Sequence, residues 1–126
     1  MKPIFKILII IIALSAASCR KDYYGQKPIP AGPVSFNGII LPILTQNCAK
    51  SGCHVAGGQS PDLTSSNAYD NLTGSGVIDT LQPATCTLYQ HLTGAGGLKL
   101  MPPDGKLNSF DLALILTWIK QGAQND

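Results

Sequence analysis

Three side chains that bind metals or form covalent bonds crowd into 48-CAKSGCH-54. Two thiols stand five positions apart, and an imidazole follows the second directly. Four chemistries use such a set. The thiols can add across the two vinyl groups of a porphyrin, which lie a fixed distance apart and so require cysteines near in sequence. The histidine is then delivered beneath the iron. The common spacing has two residues between the cysteines. Here Ala49, Lys50, Ser51 and Gly52 intervene, all small or flexible enough to bulge outward, and Gly52 has backbone conformations closed to other residues. Alternatively the thiols oxidise to a Cys48–Cys53 disulfide and His54 is a solvated loop residue. A zinc site would combine Cys48, Cys53 and His54 with Cys86 or His91. A cysteine–histidine nucleophile would need the sulfur and imidazole in contact and a third group to orient them; neighbours in sequence rarely meet that way, and no third group is evident.

The compartment bears on this choice. Lys2 and Lys6 make a positive start, Ile7 to Leu14 is an unbroken apolar run, and 15-SAAS-18 precedes Cys19. The run is too short to span a bilayer and suits the core of a signal peptide. The whole resembles a bacterial lipoprotein signal, in which cleavage occurs before a cysteine that carries a diacylglycerol. The other reading is ordinary secretion with cleavage near Ala17. The resemblance implies a signal peptide over 1–18, export, and a lipid anchor at Cys19 on a bacterial envelope membrane, facing the periplasm. Residues 19–34 hold three prolines and two glycines without helical or strand period. They are expected to form a flexible tether, or in part an arm packed on the domain through Tyr23 and Tyr24. The folded domain is expected over 35–126.

The chain has nine lysines and arginines against seven aspartates and no glutamate. Loss of Lys2 and Lys6 leaves the exported part formally neutral. That excludes the basic field nucleic-acid binding requires, so no nucleic-acid partner is expected. Disulfides form in such a compartment, where cysteines are paired, lipidated or bound. Cys86 is left over, either at a helix start or as a reactive thiol.

The elements that must position these groups are helical. Phe36, Ile39, Ile40, Ile43, Leu44 and Cys48 recur at helical intervals, with Ser35 or Asn37 available as a cap. Pro42 fits only a first helical turn, so the helix begins near Ile40 or bends there. Short helices are expected over Ser66–Leu72 and Thr85–Leu92. The stretch 93-TGAGGLKLMPPDGKL-107, with four glycines and two prolines, is a loop. Asn108 followed by Asp111 marks the start of a closing helix. Its stripe of Phe110, Ala113, Leu114, Thr117 and Trp118, widened by Leu112, Ile115, Leu116 and Ile119, is apolar on most sides. Lys120 and Gly122 end it. The fold class is all-α: three to five helices joined by loops long enough to wrap a cofactor.

A haem iron of this kind takes a sixth ligand, commonly methionine. Beyond Met1 the chain has one methionine, Met101, in the loop and stiffened by Pro102 and Pro103. Helix–CAKSGCH at the front, LMPPDG in the middle and 118-WIKQGA-123 at the end resemble the class I c-type cytochromes. The likeness is nearest to single-haem domains of bacterial lipoproteins whose motifs read Cys-x4-Cys-His, Met-Pro-Pro and Trp-Ile-x-x-Gly-Ala. The resemblance implies a small cytochrome c-like fold around one haem c. The haem would be bound through Cys48 and Cys53, with His54 and Met101 as iron ligands. It also implies that the first and last helices cross, and that a proline carbonyl shortly after the motif accepts the other N–H of the ligating histidine. Pro61 is the sole proline between His54 and the next expected helix. His91, in LYQHLTG, is expected as a surface residue, with iron ligation its sharper role. The function implied is electron transfer with redox partner proteins of the envelope, and no catalysis: paired carboxylates, a serine–histidine set and a phosphate loop are all missing. The competing classes are a non-redox structural or interaction lipoprotein and a haem domain that senses a small ligand when Met101 leaves the iron.

Overall fold

The computed structural model describes residues 27–126; the expected signal segment, Cys19, Tyr23 and Tyr24 lie outside the described residues. A π-helical turn, Phe36–Ile40, runs directly into helix α1, Leu41–Asn47. Three α-helices follow: α2, Ala68–Gly74; α3, Thr87–Thr93; and α4, Ser109–Lys120. Among the described residues there are four α-helices and no strand. The expected all-α class and helix number hold at that level.

Pro42 accounts for the winding of the first element. The Ser35 side chain caps the start by accepting from Gly38 N–H at 2.8 Å. The N–H groups of Ile40 and Leu41 then reach back five residues, to the carbonyls of Ser35 and Phe36. Proline supplies no N–H, and its ring crowds the carbonyl four residues before it. A wider turn ahead of Pro42 relieves that crowding, and α-helical pairing resumes once Pro42 lies in the first turn of α1. Of the two options left by the sequence, the α-helix begins beside Ile40, at Leu41, and a wide π turn that the sequence did not suggest precedes it.

Phe36, Ile40 and Leu44 from this first element are buried with Leu72 of α2 and Ile115, Trp118 and Ile119 of α4. The Phe36 ring lies 5.1 Å from Tyr69, edge to face, and 5.3 Å from Trp118. Such pairs add stability beyond the area they bury. The polar ends of the two larger rings are both satisfied: Tyr69 Oη donates to the Ala123 carbonyl at 3.0 Å, and Trp118 Nε1 to the Gln124 carbonyl at 2.9 Å.

Helix α4 begins as expected. Asn108 Oδ1 accepts from Asp111 N–H at 2.9 Å, and Asn108 Nδ2 donates to the Asp111 carboxylate at 2.8 Å. It ends at Lys120, after which Gly122 takes φ 94° and the Ala123 N–H returns to the Trp118 carbonyl.

Packing starts ahead of the expected boundary at Ser35. Val34 is buried and Ile29 packs on the core. Gln121 secures this arm by accepting from Val34 N–H at 2.8 Å and donating to the Gly32 carbonyl at 3.4 Å. Helices α2 and α3 each start two residues later than Ser66 and Thr85. Both residues sit instead in turns that precede the helices.

Candidate functional site

Helix α1 delivers the first thiol. Cys48 is its C-cap, its N–H bonded to the Leu44 carbonyl at 2.8 Å, and its side chain is buried. Burial pushes the Cys48 thiol up to about 11, with the Lys50 ammonium pulling it down and the Cys53 sulfur adding to the rise. Ala49 still packs against the core, and the three residues after it bulge outward. Cys53 N–H bonds the Lys50 carbonyl at 2.8 Å and His54 N–H returns to the Cys48 carbonyl at 3.2 Å. Lys50, Ser51 and Gly52 are exposed in the bulge between them. Gly52 takes φ 78°, in the left-handed region, as its place in the motif suggested. The stretched spacing is thus absorbed outward, and Cys53 and His54 return to the domain.

The next segment folds back on the motif. Gln59 N–H bonds the Cys53 carbonyl at 2.8 Å, and Leu63 N–H bonds the His54 carbonyl at 2.9 Å. A side chain at Gly58 would meet the Cys53 carbonyl oxygen at 2.4 Å, so this close approach needs glycine. His54 Nδ1 lies 3.0 Å from the Pro61 carbonyl, the partner expected from the sequence. A carbonyl only accepts, so Nδ1 carries the proton and, in the neutral ring, the lone pair is left on Nε2.

Asp62 anchors the segment just past Pro61. Its carboxylate accepts from Thr64 N–H at 2.9 Å, Thr64 Oγ1 at 2.7 Å and Asn67 Nδ2 at 2.7 Å. Those bonds, led by the Thr64 hydroxyl, hold its carboxyl below the usual carboxylate range. The stability they contribute is present above the ordinary carboxylate pKa and is lost as pH falls through the lowered one.

Two adjoining hollows lie over these residues. One is about 290 Å³, walled by Leu44, Leu63, Val77, Leu88 and Leu92, and reached by Cys48, His54, His91 and Met101. The other is about 410 Å³ and is bordered by Gly52, Cys53, Lys99, Pro102 and Pro103. Cys48, His54, Ser60 and Met101 line both. The fold therefore brings Met101 to the motif from the far loop. The apolar walls come from α1, the loop after the motif, the segment between α2 and α3, and α3.

Cys48, Cys53 and Cys86 are free thiols. Among the described residues no three His, Cys, Asp or Glu side chains are grouped to hold a metal ion. The donor set for zinc is thus not assembled. Cys86 occupies the N-cap position of α3, and its Sγ donates to the Pro83 carbonyl at 3.3 Å instead of capping the helix. His91, expected at the surface, is only partly exposed and lines the smaller hollow. Sequence reasoning missed Ser60, Val77, Leu88 and Lys99 as lining residues. Their types carry no signal; only the path of the chain brings them there. No helix of the described residues is long and apolar enough to cross a membrane. No family model, curated protein or solved structure matches this chain.

Proposed function

We infer that the chain is a single-haem electron carrier with a cytochrome c-like fold. Cys48 and Cys53 would bind haem c by thioether bonds, and His54 and Met101 would ligate its iron. One observation carries the reading. Cys48, His54 and Met101, separated by up to 53 positions, line the same two hollows, and His54 is already oriented through Nδ1 by the Pro61 carbonyl. Metal-bound histidines are held in this way.

The residues fit the group on further counts. The walls are largely leucine and valine, which suits a flat apolar ring. The two thiols are free to react, and the exposed bulge from Lys50 to Gly52 accommodates their wide spacing. When bound, the haem supplies a one-electron ferric–ferrous couple with no bond made to substrate. The chain's part would be to hold His54 and Met101 in fixed positions and to keep water from the ring with its apolar walls. Its partners would be redox proteins of the bacterial envelope. Cys19 would carry the lipid that anchors it there, on the periplasmic side.

Two measurements test this. In protein expressed with haem-maturation machinery, mass spectrometry of the peptide spanning Cys48 and Cys53 should show an added haem that survives acid–acetone extraction. A loss of two hydrogens in its place means a disulfide, and the redox reading fails. Separately, Cys19→Ser should release the protein from membranes or stop its processing. Unchanged membrane partitioning and N-terminal mass would mean plain secretion.

A further inference from the structure

We propose that His91 is a positioning residue for Met101: it fastens the methionine loop to helix α3 at two points, one of them through its imidazole. The inference rests on Met101 being an iron ligand.

His91 Nδ1 lies 2.8 Å from the Lys99 carbonyl, and the Met101 N–H donates to the His91 carbonyl at 2.8 Å. A carbonyl cannot donate, so the imidazole Nδ1–H is the donor of the first bond. Only Leu100 separates the two loop residues held. The two bonds therefore bracket the residue just before the sulfur-bearing one, and both end on a single residue of α3.

Ala95 N–H bonds the Gln90 carbonyl where the loop leaves α3, but the loop beyond it turns mostly on itself. Leu98 N–H bonds Ala95, and Gly105 N–H bonds the Pro102 carbonyl, contacts within the loop itself. Among the described residues, the backbone from Lys99 to Pro103 is hydrogen-bonded to a helix only through His91. The base is firm, because the adjacent Leu92 is buried and α3 packs against α4. A histidine at an arbitrary surface position would have no reason to spend a ring N–H on a carbonyl eight residues on. Here that bond lies where a flexible, glycine-rich approach must become a fixed one.

The backbone bond survives any substitution at position 91, and the ring bond does not. His91→Leu removes the donor. His91→Asn can place an N–H close to where Nδ1–H stood. In the full-length, haem-loaded protein we expect His91→Leu to speed amide hydrogen exchange at Met101 roughly tenfold, the value of about one net hydrogen bond. It should also weaken the sulfur–iron absorption band of the ferric form and quicken carbon monoxide binding to the ferrous form. His91→Asn should restore all three close to wild type. Unchanged exchange in His91→Leu overturns the proposal. So does a loss that asparagine fails to restore, which would make the ring itself a ligand or a packing element. If no covalent haem is found, electron transfer fails by mass; the positioning role is then judged by Met101 amide exchange alone.

Discussion

Replacing Met101 by alanine in the haem-loaded protein should open one face of the iron. The wild-type ferric form should show the weak long-wavelength sulfur–iron band and low-spin iron, and its ferrous form should have little affinity for carbon monoxide. Met101→Ala should lose the band, bind carbon monoxide readily and have a lower reduction potential. The direction follows from the ligand. A thioether is soft and neutral, stabilises ferrous over ferric iron and raises the potential. The effect should be large because no substitute of the same kind exists: Met1 is the only other methionine. A methionine in a regular helix would by default be a gap filler. Met101 is in a loop, partly buried, and borders the same hollows as His54. A variant that stays low-spin with an unchanged spectrum would remove Met101 from the site.

Trp118→Ala should cost about 3–5 kcal/mol of unfolding free energy, the range for truncating a large buried ring. That is a large share of the roughly 5–15 kcal/mol that holds a small domain together. Trp118 is 1% exposed, lies 5.3 Å from Phe36, and donates to the Gln124 carbonyl. Truncation opens a cavity in the seam between the first turn and α4 and leaves that carbonyl without its donor. Trp118→Phe separates the two effects. It keeps most of the ring and removes the N–H, so its cost should approach that of one hydrogen bond, about 1 kcal/mol. Urea unfolding of the three proteins under the same haem loading measures both. A loss below about 1 kcal/mol for the alanine variant would mean that this seam does not hold the fold.

What could be read from the sequence was local, and what could not depended on the path of the chain. Helix α4 was legible because its cap and its ending are side-chain chemistry: Asn108, Asp111, Lys120 and Gly122 each act within a few residues of themselves. The outward bulge was legible from the types between the cysteines, and the Pro61 carbonyl from the resemblance, which implies a proline partner shortly after the motif and leaves Pro61 as the sole proline in reach. Helices α2 and α3 start two residues after Ser66 and Thr85 because turns take those positions: Asp62 holds Thr64, the Thr64 carbonyl takes the N–H of Ala68, and Thr85 N–H bonds the Gln82 carbonyl. Pro42 announced a disturbance without specifying its form, since a bend and a wide turn both relieve the same crowding. His91 was hardest to place. It stands between polar Gln90 and apolar Leu92, and its inward role depends on a carbonyl at Lys99, which no side-chain pattern reveals.

The seam between Phe36 and α4 also governs how the domain can be divided. Val34 and Phe36 are bonded to side chains 87 and 90 positions away, at Gln121 and Asp126. Every residue proposed to hold the haem lies between, as one long loop whose ends are joined by these bonds and by the packing of Trp118 on Phe36. Closing a loop of that length costs about 4 kcal/mol in chain entropy, and the aromatic seam is what repays it. Local order and local chemistry are therefore separable along this chain. A fragment ending before Ser109 would contain Cys48, Cys53, His54 and Met101, every residue proposed to bond the haem or its iron. It would contain none of the helix that closes the seam.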